Sequence, residues 1–525
     1  MSDFVSEILI SALPGLIVQN IPAEKVLHKD HLKLLAGECI NTQVLGQCFD
    51  AFLSESDFYS NNTSINSGHE FSELLSGLLM NRADSLSRFY DGNTVSDISI
   101  SGILNNHQFF QSYSRLISSH RLDLERSIRC GASVECPVVI FTAKKVFFNQ
   151  LRLSKVLRDI GYKTIAIVFD TQMTQHQAGF FDEVIYTDLL SFLLCINKVD
   201  INLLLHTQGW LFRYHIPVLI DAYKSPSCKQ IIEMMDCQSF YLPESVIQSI
   251  PESMKKAWGV NAIENHQLQL ACEDYIIHHS DGVIFNGDDT YREPLVKSDS
   301  ENLRNKHLSF SALPLKDFFY VSNQVNKYKK LVFVGGIPPL LPSRPYELFG
   351  DSQLIGLVKR MIENGCHLDI YNNPLLAAED DYKALYPDFV ELAASHDNFN
   401  FFLGDMPQYI TEKISKYDIG LMVYDFCGTY AGELHFKHLI PTKLFSYLEA
   451  GLPVLVSDRF TAVCDIVREY RIGVVISQRE IDAIPEIIDM IDIVELKRNV
   501  LIAREELQMH NNIHRLTGFY EQVMA

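Results

Sequence analysis

Pro441, Thr442 and Lys443 are the residues best suited to chemistry, because they lie between a short apolar run, Ile419–Val423, and a helix-compatible segment, Leu444–Glu449. Proline costs no hydrogen bond at the first position of a helix, since its missing donor would have no intrahelical partner there. The free N–H groups and partial positive charge of a helix amino terminus attract phosphate. The Thr442 hydroxyl adds a hydrogen-bond donor, and the Lys443 ammonium group adds a cation. The segment therefore predicts a site for a diphosphate.

A pair of glycines, Gly335 and Gly336, follows the predicted strand Leu331–Val334. Without a Cβ atom the backbone can approach a sugar phosphate closely, and the turns after the strands of a parallel sheet face the ligand. The pair is not the G-x-G-x-x-G fingerprint of dinucleotide sites, because an isoleucine and two prolines follow it. An ordinary tight turn is the alternative interpretation.

Three side chains near predicted strand ends could accept or donate a proton. His206 ends the run LLLH and faces the loop TQGW, Asp170 follows Thr164–Phe169, and Asp236 follows Ile231–Met235. A histidine titrates near neutral pH and could act as a base or as a donor. A structural histidine, hydrogen-bonded at a strand end, is the competing interpretation. The sequence does not select between the two aspartates as a general base.

Polar side chains also crowd the segment before Pro441. Glu433, His435, Lys437 and His438 are predicted to lie in a loop, where they could meet a sugar or a leaving group. Isolated polar residues of a loop are more often solvated, and this is the alternative for each of them.

The elements that must position these residues alternate between strands and helices from residue 137 onward. The strand candidates are Val138–Phe141, Thr164–Phe169, Glu183–Tyr186, Leu203–His206, Ile231–Met235, Gly282–Phe285, Leu331–Val334, Phe399–Leu403, Ile419–Val423, Pro453–Val456 and Gly473–Ile476. This alternation predicts an α/β fold with two doubly wound, Rossmann-like domains, whose ligands lie at the carboxyl ends of the strands.

Four segments of the second half occur in a characteristic order: KLVFVGGI (330–337), HLDIYNN (367–373), NFNFFLGDMPQYI (398–410), and YDIGL (417–421) followed by PTKLFSYLEAGLPVLVS (441–457). This ordered series resembles the group 1-like donor-binding domain of GT-B glycosyltransferases that use nucleotide-sugar donors. The resemblance covers residues 330–477, is weaker over 137–314, and is absent before about residue 130.

The resemblance implies further site residues. The backbone of Gly404, Asp405 and Met406, after the strand Phe399–Leu403, would receive the nucleobase. An ordinary turn explains the Gly-Asp pair equally well.

The chain departs from the carboxylate pair of the family. Ser446 stands where members commonly carry a glutamate that accepts from ribose hydroxyls, Glu449 lies about one turn further on, and His438 stands where many carry a second glutamate. Ser446 and Glu449 are the candidates left for the ribose. The departure weakens the expectation of catalysis relative to that of the fold.

The sequence contains no D-x-D pair, so we expect no metal site and no cofactor beyond the donor itself. Helix N–H groups and Lys443 would then compensate the charge of the diphosphate. The eleven cysteines are scattered without a C-x-x-C pair, which is typical of a reduced intracellular protein.

Composition argues against a nucleic-acid partner, since the 525 residues carry a formal net charge of -20. No apolar run reaches the roughly 20 residues of a bilayer span. The amino terminus carries Asp3 and Glu7 and no early Lys or Arg, unlike a secretory signal. We therefore expect a cytoplasmic protein without a transmembrane segment, and contact with a membrane surface stays compatible with a lipid-linked acceptor.

The predicted organisation has four regions. Residues 1–135 form a mainly helical N-terminal extension, 136–320 an N-terminal acceptor domain, 321–495 a C-terminal donor domain, and 496–525 helices that cross back to the first domain.

The resemblance implies a metal-independent glycosyltransferase of the hexosyltransferase type, which moves a sugar from a nucleotide diphosphate donor to a glycan, lipid-linked or protein acceptor. His206, Asp170 and Glu433 are its candidate catalytic residues, and closure of the domains is expected. Because fold alone does not fix reaction, a nucleotide-sugar epimerase and a non-catalytic partner or binding protein remain alternatives.

Overall fold

The computed structural model describes residues 124–131 and 136–525 with interruptions. The interruptions are residues 170–172, 188–191, 193–194, 197–198, 212, 251–261, 297–302, 304, 323, 325, 338–353, 374–381 and 427–430. Of the predicted N-terminal extension only residues 124–131, which are helical, are described. Asp170 lies outside the described residues.

A seven-stranded parallel sheet forms the centre of the first domain, with the strand order β3-β2-β1-β4-β5-β6-β7. Its strands are β1 Val138–Ala143, β2 Lys163–Val168, β3 Glu183–Tyr186, β4 Leu203–Gly209, β5 Cys228–Met234, β6 Gly282–Phe285 and β7 His307–Ser309. The helices described here are α1 Phe148–Asp159, α2 Gln175–Ala178, α3 His215–Tyr223, α4 Gln238–Tyr241, α5 Glu244–Ser249 and α6 Ala262–His279, and a 3-10 turn covers Lys316–Phe318.

A six-stranded parallel sheet forms the centre of the second domain, with the order β10-β9-β8-β11-β12-β13. Its strands are β8 Lys330–Gly335, β9 His367–Asn372, β10 Phe399–Leu403, β11 Ile419–Met422, β12 Val454–Ser457 and β13 Gly473–Ile476. Its helices are α7 Ile355–Glu363, α8 Tyr382–Leu385, α9 Pro387–Ser395, α10 Pro407–Ile414, α11 Glu433–His438, α12 Thr442–Glu449, α13 Thr461–Tyr470, α14 Ile484–Met490 and α15 Ile493–Leu507, with a 3-10 segment at Gln478–Ala483, and α16 Met509–Met524 follows.

In both sheets the chain starts at a central strand, adds strands outward on one side, and then returns to add strands on the other side. This is the strand order of the doubly wound Rossmann fold. The prediction of two doubly wound domains is therefore confirmed, and the pair has the GT-B arrangement. In such sheets the ligand crevice opens at the carboxyl ends of the strands where the order reverses. These points lie between β1 and β4 in the first domain and between β8 and β11 in the second.

The central strands form where the sequence is continuously apolar, because helices cover both faces of a parallel sheet. All four residues of β12 and of β11 are buried, as are five of the six residues of β2. Among the described helices, none combines the length and the apolar character that crossing a bilayer would demand.

The last two helices belong to different cores. Val500 and Ala503 of α15 are buried in the core of the second domain, whereas Leu516, Phe519 and Tyr520 of α16 are buried in that of the first. The chain thus crosses the domain boundary once more near Gln508, the residue between the two helices.

A buried ion pair joins the domains. Arg152 of α1 and Glu449 at the end of α12 are each 0% exposed and form a two-pronged contact, with 2.8 Å between Nη2 and Oε2 and a second bond between Nη1 and Oε1. The Leu315 amide donates to Glu449 Oε1 at 2.7 Å. Burial raises the pKa of the Glu449 carboxyl, and the contacts with Arg152 and Leu315 oppose that rise. Such a pair resists separation, because either partner alone would be a buried unpaired charge.

Replacing Arg152 with methionine should lower the free energy of unfolding by about 3–5 kcal/mol, the usual cost of stranding one partner of a buried pair. Urea unfolding measures the change. Lys155→Met is the matched control, because Lys155 lies on the same helix and pairs at 2.6 Å with Asp317, whose side chain is 53% exposed. That exposed pair should contribute at most about 1 kcal/mol. Equal losses in the two variants would contradict the role given to the buried pair.

Candidate functional site

Helix α12 begins at Thr442, with Pro441 as its N-cap residue. The prediction that Pro441 is the first helical residue is therefore wrong by one position. Proline has no side-chain oxygen for capping, and the first turn contains no acidic residue. Thr442 and Lys443 are half-buried. This end of the helix therefore offers main-chain donors and the positive end of the helix dipole to an anion.

The Lys443 ammonium group is held at the crevice by aromatic rings. It lies 4.3 Å from the ring centroid of Phe333 and 4.9 Å from that of Tyr424, and it bonds to the Tyr424 hydroxyl. Phe333 belongs to β8 and Tyr424 follows β11, the two strands that flank the reversal point of the sheet. A cation over an aromatic face gains about 0.5–2 kcal/mol. The ammonium group is thus fixed where the fold places its ligand.

Gly335 makes room for this lysine. It is the last residue of β8, and its φ of +151° is a value that favours glycine. A Cβ atom at this position would lie 3.1 Å from Lys443 Nζ. The turn that follows is held by Asn372, whose Oδ1 accepts from the Ile337 amide at 2.8 Å. Gly336 lies exposed in this turn.

The first domain presents a second helix amino terminus to the same place. Helix α1 begins at Phe148, has no acidic residue in its first turn, and follows the half-buried Lys144 and Lys145 at the end of β1. The Thr442 hydroxyl donates to Asn149 Oδ1 at 3.0 Å, so the starts of α1 and α12 touch. The Thr442 hydroxyl, which the sequence analysis assigned to a phosphate, therefore donates to Asn149 in this structure.

Lys144, Lys145 and Asn149 are site residues that sequence reasoning missed. The signal that could have found them is the segment AKKVFFN, in which two lysines directly follow a strand and precede a helix.

A second cluster lies at the carboxyl ends of β4 and β5. Trp210 donates from Nε1 to Asp236 Oδ2 at 2.6 Å, and its ring meets the edge of Phe147 with 4.1 Å between centroids. The Arg213 guanidinium lies 6.0 Å from the Trp210 ring centroid. Asp236 and Trp210 are half-buried. An aromatic surface and an oriented carboxylate therefore stand next to the start of α1.

The prediction that His206 ends a strand is wrong, because β4 continues to Gly209. The His206 side chain is fully buried. Its Nδ1 lies 2.6 Å from the Tyr520 hydroxyl, its Nε2 lies 3.4 Å from Glu233 Oε2, and its ring packs 4.9 Å from that of Phe141. A catalytic role would require contact with a substrate that this position does not provide.

The prediction of a loop at residues 433–438 is also wrong, because these residues form helix α11. Glu433 is exposed at its start. His435 and His438 are buried against the first domain: the His435 ring lies 4.8 Å from that of Tyr241, and His438 Nδ1 lies 3.1 Å from Asp288 Oδ1. Burial lowers the pKa of His435. The helix docks the domains together.

The structure corrects the expected ribose contacts. Both carboxylate oxygens of Glu449 are engaged by Arg152, one of them also by the Leu315 amide, and the side chain is fully buried. Burial and complete pairing keep it from a ligand. Ser446 is 7% exposed and lies within the buried side of α12.

Gly404, Asp405 and Met406 follow β10. The Gly404 amide donates to the Asn372 carbonyl at 2.6 Å. Asp405 is engaged by Lys413 at 2.8 Å and by the Met406 amide at 2.8 Å. Met406 is buried in the core of the first domain. Their contact with a nucleobase stays a prediction.

Comparisons with solved structures return similar folds at low identity. No family model matches the chain, and no curated protein matches it. A glycosyltransferase from Rickettsia africae ESF-5 is similar at 10% identity and a TM-score of 0.47, covering 74% of this chain and 99% of its own. The HepE protein of Anabaena, in complex with UDP and glucose, shows 11% identity and a TM-score of 0.48 over 73% of this chain and 99% of its own. A trehalose-phosphate synthase from Burkholderia xenovorans, in complex with glucose-6-phosphate, shows 8% identity and a TM-score of 0.47, covering 74% of this chain and 100% of its own.

The two strand orders give this chain a fold of two Rossmann-like domains, which is the GT-B fold class. Within that class, the described site of this chain combines two uncapped helix starts with lysines and holds Glu449 in an ion pair between the domains.

Gly335→Ala should destabilise the protein more than Gly365→Ala. Both glycines have positive φ, at +151° and +90°, so both substitutions strain the backbone. A Cβ atom at Gly365 would meet nothing within 4 Å, whereas one at Gly335 would press on Lys443 and weaken its contacts with the rings. We expect an excess loss of about 1 kcal/mol in urea unfolding, comparable with one cation–π contact. Equal losses of unfolding free energy in the two variants would show that Lys443 does not need the space left by Gly335.

Proposed function

We propose that this protein is a glycosyltransferase that moves a sugar from a nucleoside diphosphate sugar to an acceptor hydroxyl in the crevice between its domains. One observation carries the proposal: the amino termini of α1 and α12 touch through Asn149 and Thr442, beside Lys443. Two helix starts without acidic first turns, together with half-buried lysines, form a surface complementary to a diphosphate.

The same surface would stabilise the leaving group. In the reaction, the acceptor oxygen bonds to the anomeric carbon while the bond from that carbon to the diphosphate oxygen breaks. The nucleoside diphosphate departs with the electron pair and gains negative charge. Main-chain N–H groups and the Lys443 ammonium stabilise this charge more strongly than that of the bound donor, and such differential stabilisation accelerates the step.

Asp236 is the group we propose as proton acceptor. It lies at the carboxyl end of β5, and the Trp210 indole fixes the orientation of its carboxylate at 2.6 Å. The proton of the acceptor hydroxyl passes to this carboxylate as the new bond forms. The rings of Trp210 and Phe147 supply the apolar surface on which a sugar ring of the acceptor can rest.

Charge compensation by protein groups supports a metal-independent reaction. Lys144 and Lys145 lie between β1 and α1, and Lys443 lies in the first turn of α12. In this proposal these lysines and the two helix dipoles supply the positive charge that a divalent cation would otherwise bring.

A sugar-nucleotide-binding protein without transferase activity is the second candidate. It is favoured by Glu449, which is sequestered by Arg152, and by His438, which pairs with Asp288. Donor binding without transfer to any acceptor would support it. Formation of a donor isomer in the absence of acceptor would indicate an epimerase instead.

Lys443→Met should weaken the binding of a nucleoside diphosphate about 10–100-fold, since a charged hydrogen bond contributes about 1.5–3 kcal/mol. Calorimetry with UDP and the other common nucleoside diphosphates measures the loss. The free nucleoside should bind both proteins equally, because it lacks the anion. Lys437→Met, which removes an exposed lysine of α11, is the control and should change neither affinity. Unchanged diphosphate affinity in Lys443→Met would refute the anion site.

Asp236→Asn should reduce turnover about 100-fold or more, the typical contribution of a general base. Asparagine keeps an oxygen for the Trp210 indole, so donor affinity should not change. Asp289→Asn, at a side chain that is 87% exposed, is the control. Full turnover in Asp236→Asn would assign the proton to another acceptor.

A further inference from the structure

We propose that Glu233 and Asn149 are positioning residues that set the start of helix α12 from within the first domain. The inference rests on the proposed function, because its consequence for a ligand is measured as diphosphate affinity. Sequence reasoning singled out neither residue.

A continuous series of polar contacts links the last helix to the crevice. The Tyr520 hydroxyl of α16 lies 2.6 Å from His206 Nδ1, and His206 Nε2 lies 3.4 Å from Glu233 Oε2. Asn149 Nδ2 donates to Glu233 Oε1 at 3.4 Å, and Asn149 Oδ1 accepts from the Thr442 hydroxyl at 3.0 Å. The series passes from α16 through β4, β5 and α1 to the second domain.

The burial of this series is costly. The exposed fractions of His206, Asn149, Tyr520 and Glu233 are 0%, 1%, 1% and 2%. Within the described part of the chain, the ion pair recorded for Glu233 is with His206 and not with a lysine or arginine. Removing a carboxylate from water with so little compensation is unfavourable. A leucine or glutamine at position 233 would fill the same space at a lower desolvation cost. We therefore infer that the Glu233 carboxylate has a role beyond packing.

The carboxylate sets the direction of the two hydrogen bonds of Asn149. Glu233 Oε1 accepts from the Asn149 NH₂ group, which leaves the Asn149 oxygen facing the Thr442 hydroxyl. Met235 Sδ, 3.1 Å from the same nitrogen, favours the same orientation. His206 Nε2 lies 3.4 Å from Glu233 Oε2 without forming a hydrogen bond, so this contact is electrostatic. Burial and the charge of Glu233 raise the pKa of Tyr520, which keeps its hydroxyl a donor.

The consequence reaches the anion site through Thr442. Its hydroxyl proton is committed to Asn149, which holds the first turn of α12 against the first turn of α1. An amide in place of the Glu233 carboxylate has one acceptor oxygen and one NH₂ group, and an NH₂ group facing Asn149 cannot accept from the Asn149 NH₂ group. Asn149 would then lose its fixed orientation, and the helix starts would lose their alignment.

The test is a double-mutant cycle with Glu233→Gln and Thr442→Val, read as UDP affinity by calorimetry. Each single variant should bind UDP about 5-fold more weakly, and the double variant should be no weaker than Thr442→Val alone, because Glu233 acts through Thr442. Uridine should bind all four proteins equally. Losses that multiply in the double variant would overturn the inference.

A ligand-free readout separates this inference from the proposed function. The same cycle in urea unfolding should show coupling between Glu233 and Thr442, which do not touch each other, whereas purely structural roles would give additive losses. Failure of the wild-type protein to bind any nucleoside diphosphate would refute the proposed function, and the unfolding cycle would still decide whether the series positions α12.

Two further variants serve as a replacement and as a control in this test. Asn149→Ala replaces Glu233→Gln in the cycle if the latter does not fold, with the same expected coupling to Thr442→Val. Thr461→Val is the matched control, since Thr461 is also the half-buried first residue of a helix in the second domain. It should leave UDP affinity unchanged, and no coupling to Glu233→Gln is expected.

Discussion

The buried ion pair between Arg152 and Glu449 determines how the two domains stand relative to each other, and the crevice depends on it. Arg152 lies one turn after Asn149 on α1, and Glu449 lies at the opposite end of α12 from Thr442. The two helices are therefore joined at two places, by a hydrogen bond at their starts and by the ion pair further along. Two attachments fix a relative orientation where one would allow rotation. The convergence of two helix dipoles on one point follows from that constraint.

Helix α11 adds a third attachment between the domains. His438 pairs with Asp288, and the residue that follows it, Leu439, forms an antiparallel bridge with Gly287 of the first domain. These contacts restrict the domain motion that the sequence analysis expects. A motion that opens the crevice has to break the contacts of α11 and the hydrogen bond between Thr442 and Asn149, and the fully buried ion pair is then the fixed point of rotation. Opening would then be a pivot and not a separation.

Much of the fold could be predicted because parallel strands need continuous apolar segments, and these are visible in one sequence. Glu183–Tyr186, Gly282–Phe285, Phe399–Leu403 and Gly473–Ile476 have the predicted bounds. The strand of His206 was cut short because the polar TQG suggested a loop, while backbone pairing with β5 extends it through Gly209. Helix α11 cannot be predicted in this way, because its six residues, ELHFKH, show no clear hydrophobic period. The role of Glu449 was beyond prediction, since its partner Arg152 lies 297 residues away.

The return of the last helix has a consequence for the order of folding. The core of the first domain includes Met509, Ile513, Leu516, Phe519 and Tyr520, all from α16. During synthesis the strands of this domain leave the ribosome well before these side chains do, and the whole second domain is made in between. Domains usually fold in the order of their synthesis. Here the domain that is begun first can complete its core only after the second has been made, so its apolar surface must stay protected during that interval.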